Sequence, residues 1–231
     1  YQNIFKKNQE KAMRAMGQRE IDWLKLRRFM LYGFSDAAGI ERKSHLKGSP
    51  YHRTQRIIRK TLERAFRMHG ASLPVVVLAQ SLGGHVMSNY IWDAQQSGAS
   101  QGTWRYDPAP EDQALEDFLR LKALRYFVTT GCNIPIFVSG FPKKDIEAIQ
   151  TSAKGYAFLW RNFYDPDDVL GWPLEPLSRT YRDAVHRDYA IDAAGSLWGL
   201  VSQSWNPFSH RLYWKDQEVL ESLCRDVRGL L

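Results

Sequence analysis

Val75-Val76-Val77-Leu78-Ala79-Gln80-Ser81-Leu82-Gly83-Gly84-His85 is the stretch that decides how this chain is read. It opens with four apolar residues, three of them valines, the composition of a parallel strand covered on both faces. The strand runs straight into a serine set among small residues, and residues 83–96 then carry helical spacing. A strand that gives way to a helix this abruptly needs a tight, strained bend, so the residues two before and two after it must be small. Ala79 and Gly83 meet that demand, and small-x-Ser-x-Gly is the pattern of a nucleophile elbow with Ser81 at its tip. The plainer alternative is Ser81 as a helix N-cap after an ordinary strand.

Working outward, strands and helices alternate. Upstream, the spacing predicts a helix over residues 5–16 and a strand over 27–34. An amphipathic helix over 53–67 follows, stopped at Gly70. Downstream it predicts a helix over 108–121 with Leu115, Phe118 and Leu119 inward, then strands over 124–129, 156–164 and about 186–191. A last helix over 215–228 places Val219, Leu220, Leu223 and Val227 on one face. This alternation implies an α/β fold, a mainly parallel central sheet flanked by helices on both faces. Ligands on such sheets sit at the carboxyl ends of the strands.

With 231 residues, 44% of them hydrophobic and only 16 Gly and 10 Pro, the chain can bury one large core and is neither disordered nor fibrous. No repeat or long linker divides it, so a single domain over residues 1–231 is expected, with 171–209, rich in Pro, Gly and Trp, as a cap or pocket-lining insertion. The formal charge is +7. Much of it sits on the helix at 53–67, where Arg53, Arg56, Lys60, Arg64 and Arg67 recur opposite Ile57, Ile58, Leu62, Ala65 and Phe66. No nucleic-acid motif accompanies this face, so a solvated helix is expected and nucleic acid is not; an acidic partner is the alternative. No apolar run reaches the roughly 18 to 20 residues of a membrane span. Tyr1 to Lys7 has no signal-peptide centre, and Cys132 and Cys224 form no disulfide framework or zinc pattern, which favours a reducing, cytoplasmic setting. Metal-ligand spacing, a phosphate loop and a dinucleotide fingerprint are all missing, so no cofactor is expected, and Cys132 reads as a buried structural thiol.

The elbow between strand and helix resembles the α/β-hydrolase superfamily, and the resemblance extends from about residue 27 to the end. It implies the chain order serine, acid, histidine. The stretch from Trp160 to Gly171 looks like the penultimate strand running into the acid loop, and Ser209-His210-Arg211-Leu212-Tyr213-Trp214 looks like the histidine loop opening into the last helix. The family's Asp-x-Val pattern falls on Asp167, with Asp165 and Asp168 as alternatives that otherwise read as a solvent-facing turn. His210 takes the place of the base. His186 also follows the acid loop but lies in a strand-like run, His45, His52 and His69 precede it, and His85 shares Ser81's own helix.

The resemblance implies a serine hydrolase of small-molecule carboxylic esters that works through an acyl-enzyme, with the Leu82 N–H as one oxyanion donor. A thioesterase, lipase or acyltransferase would use the same triad. The family draws its second donor from a loop after an early strand, often with His-Gly. Here that strand is expected to be missing by truncation, or replaced by Gly33-Phe34-Ser35. The rival from another class is a non-catalytic member that binds an acidic surface through residues 53–67. Trp172, Trp198, Trp205, Phe208, Tyr213 and Trp214 either line an acyl pocket or anchor the core.

Overall fold

The computed structural model describes residue 34 and residues 38–40, 44–96, 101–152, 155–192, 210 and 212–229. The chain falls into two compact units, Tyr1–Arg67 with Gln96–Pro110, and Met68–Gln95 with Glu111–Leu231.

The second unit is built on four parallel strands, β1 (Val75–Gln80), β2 (Leu124–Thr130), β3 (Leu159–Tyr164) and β4 (Arg187–Ala190), hydrogen-bonded in the order β1-β2-β3-β4. Gln80 pairs with Thr130, Thr130 with Phe163, and Tyr164 with Ala190. The register therefore brings the carboxyl ends to one edge, and whatever follows each strand starts from that rim. Side-chain alternation sorts the two faces. Tyr126, Val128 and Phe163 pack with Ile191, Tyr213 and Val219 on one face, beneath α7 (Gln217–Arg228), capped by Asp216 accepting from the Val219 N–H. Phe127 and Trp160 meet on the other face, against Tyr181 of α6 (Arg179–Ala184). Helices thus cover both faces, as the alternation predicts. Each large apolar side chain buried here is worth roughly 1.5–3 kcal/mol.

Three expectations are corrected in this unit. Far from being covered on both faces, β1 is half-buried, with Leu78 48% exposed, because among the described residues it is the terminal strand. The helix expected over 108–121 is shorter, α4 (Gln113–Leu119). Asp112 accepts from the Ala114 N–H at 2.8 Å and starts the helix beyond Pro108 and Pro110. On α7, Val219 is inward as expected but Leu220 is 40% exposed, and the polar Ser222 takes its place on the buried face. The reason is Arg161 of β3, which points at that face and donates to Ser222 Oγ at 3.1 Å and Asp226 Oδ1 at 2.9 Å.

In the first unit, α1 (Pro50–His69, its last two residues in the second unit) packs through polar side chains. Gln55 Oε1 accepts from the Thr103 N–H at 3.0 Å at the start of α3 (Gly102–Tyr106), and Arg59 donates to the Pro108 carbonyl at 2.6 Å. His52 accepts the Gly48 N–H on Nδ1 at 2.9 Å, which places its own proton on Nε2, 3.0 Å from Asp107 Oδ2. Thr103 donates to the same oxygen at 2.8 Å. The buried face therefore runs through Tyr51, His52, Gln55 and Arg59, and Ile57, expected inward, is 46% exposed.

The expected elements at residues 5–16 and 27–33 lie outside the described residues, as does 193–209 of the expected cap. Among the described residues no helix is long and apolar enough to cross a membrane.

Candidate functional site

Ser81 leaves β1 with φ +55°, in the left-handed region that a side chain adopts only when its surroundings impose it. Two bonds impose it here. Its N–H donates to the Thr130 carbonyl at 3.0 Å, extending the ladder to β2 by one rung, and its carbonyl accepts from the Gly84 N–H at 3.0 Å as α2 (Leu82–Gln95) begins. The bend is held at the cost of strain, as a nucleophile elbow requires. The close approach is one residue later than the sequence pattern suggests. A Cβ on Gly83 would make ordinary contact with Ala79 at 4.0 Å, whereas on Gly84 it would lie 2.6 Å from Cys132 Sγ and 3.3 Å from Thr129 Cγ2.

His210 is buried at the same rim, and its Nδ1 lies 2.7 Å from Asp168 Oδ2. With Nδ1 engaged, Nε2 is the nitrogen available for proton transfer. The backbone of His210 is fastened beside Ser81. Gln80 donates from Nε2 to the His210 carbonyl and accepts the Trp214 indole N–H at 2.9 Å on Oε1. The residue before the serine thus spans both sides of the histidine loop.

The carboxylate that meets His210 is Asp168 rather than Asp167. Asp167 is exposed, and the bond at its backbone is the N–H donated to Asp165 Oδ1 at 2.8 Å. Asp165 is buried but serves the turn, with its carbonyl accepting the Asp168 N–H at 2.9 Å. This arrangement turns Asp167 outward and Asp168 inward. The buried Asp168 accepts three hydrogen bonds, from His210, from the Tyr213 hydroxyl at 2.8 Å, and from the Leu170 N–H at 3.0 Å. The Tyr213 oxygen in turn accepts the Asp165 N–H at 2.9 Å. Burial, reinforced by the Asp168 charge, pushes the Tyr213 hydroxyl far above its ordinary range, so it stays protonated and donates.

Two glycines make room for this cluster. Gly131, φ +52°, follows β2, and a Cβ there would come within 3.1 Å of Tyr213, Asp168 and His210 alike. On Gly171 it would lie 2.6 Å from the Tyr213 oxygen and 2.7 Å from Asp168 Oδ2. Beneath them a buried polar chain pins the segment after the acid. Thr129 donates to Asn162 Oδ1, and Asn162 donates to the Trp172 carbonyl and to Asp188 Oδ1. Asp188 also accepts the Leu174 and Glu175 N–H groups. Burial raises the Asp188 carboxyl above the ordinary carboxylate value, against the pull of these donors.

The other histidines fall away from this cluster. His186 is exposed, as are His45 and His69, while His52 belongs to the first unit's packing. His85 stacks on Phe137 with ring centroids 4.0 Å apart. Burial pushes the Cys132 thiol up to about 12, so it is a packed thiol rather than a nucleophile. Leu82 opens α2, a position whose N–H has no acceptor within its helix. Of the alternative second donor, Gly33 and Ser35 lie outside the described residues, as do Trp198, Trp205 and Phe208. Trp172 is half-exposed beside Gly171, and Tyr213 is wholly buried.

Of the residues named from the sequence, His210 meets a carboxylate of the expected turn, and Ser81 directly follows Gln80, whose side chain holds the His210 carbonyl; Tyr213, Gln80 and Gly131 were not named as parts of this cluster. The crowding of aromatic residues after the acid turn was the signal for Tyr213, and nothing in the neighbouring sequence marks Gln80 or Gly131. Among the described residues, no group of three or more His, Cys, Asp and Glu could hold a metal ion. No family model, curated protein or solved structure matches the chain.

Proposed function

We infer that the chain is a serine hydrolase that cleaves carboxylic esters through Ser81, His210 and Asp168. What carries this reading is one juxtaposition: a serine at positive φ between a parallel strand and a helix, with a buried His–Asp pair fastened to the residue before it. The order of the parts agrees with the α/β-hydrolase resemblance, with serine after β1, acid after β3 and histidine after β4 in a sheet of consecutive parallel strands.

In this reading His210 Nε2 removes the Ser81 hydroxyl proton as Oγ attacks the ester carbonyl. Negative charge collects on the carbonyl oxygen and is met by the Leu82 N–H at the positive end of α2. The tetrahedral intermediate collapses, the alcohol leaves with the proton from His210, and the acyl group stays on Ser81. Water activated by the same imidazole then releases the carboxylic acid and restores the serine. Asp168 holds the imidazole orientation and stabilises its cationic form, while Tyr213 and Leu170 hold Asp168.

A fluorophosphonate probe tests the nucleophile. Covalent labelling located to Ser81 by peptide mass spectrometry, and abolished in Ser81→Ala, supports the reading. A wild-type chain that takes up no label overturns it. Turnover of a panel of p-nitrophenyl esters beside acyl-CoAs then separates esterase from thioesterase, because acyl length and leaving group are chosen by pocket shape rather than by the triad.

A further inference from the structure

The basic face of α1 is the strongest charged feature among the described residues. The helix carries six Lys and Arg against a single Glu, most of the formal excess of +7. Arg59 is consumed inside the first unit by Pro108, Glu63 and the Trp104 ring. The other five, Arg53, Arg56, Lys60, Arg64 and Arg67, are exposed. At 100° per residue they fall on one stripe less than a third of the circumference wide, running about 21 Å along the axis. Arg56 lies 3.4 Å from Asp107, and Glu63 is turned to Arg59, so no carboxylate interrupts the stripe among the helix's own residues.

An apolar side chain borders this stripe. Ile57 is 46% exposed and lies beside Arg53, Lys60 and Arg64 at the stripe's edge. The packing of His52, Gln55 and Arg59 against residues 102–108 fixes the rotation of the helix, so Ile57 cannot turn inward without breaking those bonds.

We propose that this face of α1 docks on an anionic phospholipid surface, with Arg53, Lys60, Arg64 and Arg67 on lipid phosphates and Ile57 in the headgroup layer. A phosphate-bearing polymer would satisfy the cations equally well but would leave Ile57 in water, whereas a lipid surface withdraws it. Attraction between a basic residue and an anionic leaflet is worth about a fivefold gain in binding per charge at the surface and fades within a Debye length, so the docking is sensitive to salt. The proposal does not rest on the ester-hydrolase reading. Failure of vesicle binding leaves Ser81 labelling untouched, and failure of labelling leaves docking untouched.

Cosedimentation of the full chain with phosphatidylcholine vesicles, with and without phosphatidylserine, tests it. Binding is expected to the phosphatidylserine vesicles alone, to weaken steeply with salt, and to fall about 25-fold in the Lys60→Gln, Arg64→Gln double variant. Ile57→Ser is expected to weaken vesicle binding several-fold and to leave retention on heparin unchanged. Circular dichroism checks that these exposed substitutions keep the fold. If one does not, the lipid and salt dependence of the unaltered chain decides alone. Absence of phosphatidylserine-dependent binding at low salt overturns the proposal. So does a double variant that binds like the parent, or duplex DNA binding with vesicle binding indifferent to Ile57→Ser, which would assign the face to nucleic acid.

Discussion

Asp168 accepts three hydrogen bonds while almost wholly buried, so replacing one of its oxygens by an amide tests charge and orientation without emptying the site. Asp168→Asn presents an N–H₂ or a weak acceptor to His210 and favours the wrong imidazole tautomer. Ester turnover should fall about 10⁴-fold, measured as kcat/KM on a p-nitrophenyl ester, with Asp167→Asn close to wild type. A larger loss at Asp167 would return the acid to that position. Tyr213→Phe removes a donor from Asp168 and strands the Asp165 N–H, which should cost about 1–3 kcal/mol of stability in urea unfolding. Between Asp165 and Asp168 the sequence could narrow the carboxylate that meets His210 to one turn but not to one residue. Which carboxylate faces inward depends on the turn bonds to Asp165 and on a tyrosine 45 positions downstream of Asp168. No local pattern carries that information, whereas the tight bend at Ser81 was legible because strand, small residues and helix are adjacent in the sequence.

The elbow also makes a prediction about how strand and helix pack. Gly84→Ala drives a methyl group to 2.6 Å from the buried Cys132 sulfur and should destabilise the chain by about 1–3 kcal/mol in thermal or urea unfolding. Gly83→Ala meets only Ala79 and, by raising helix propensity, should leave stability unchanged or raised by up to ~1 kcal/mol. Equal losses at both positions would mean that the helix stands as close to β1 as to β2. Element types were legible wherever periodicity was strong, as in α1, β2 and α7. What failed was the choice of buried face. Arg161 draws Ser222 and Asp226 into the interface of α7, and Thr103, Asp107 and Pro108 draw Gln55, His52 and Arg59 into that of α1. A hydrophobicity pattern marks such positions as solvent-facing because it cannot see partners distant in sequence.

On the scale of the whole molecule, the two units should respond oppositely to acid. Burial tends to raise the Asp107 carboxyl, but hydrogen bonds from Thr103 and His52 and the charge of Arg56 outweigh it and hold it below the ordinary 3.8. An acid lowered on folding stabilises fully above its unfolded value, and this contribution disappears as pH falls through the folded one. Asp188 runs the other way. Burial, with the neighbouring Glu175 charge, holds it above 3.8 despite its donors, so its ionisation costs stability as pH rises through the raised value, and protonation returns that stability on acidification. Asp117 is also held low, first by Lys122, but that pair is exposed and weighs little. Lowering the pH from neutral therefore first relieves the sheet at Asp188 and then, below about 3.8, removes the tie between α1 and Asp107. In hydrogen exchange on the full chain, amides of residues 52–59 and 103–107 should lose protection at a higher pH than those of β2, β3 and β4. Loss of the sheet amides first would mean that Asp188 is ionised and stabilising in the fold, reversing the sign assigned to its burial.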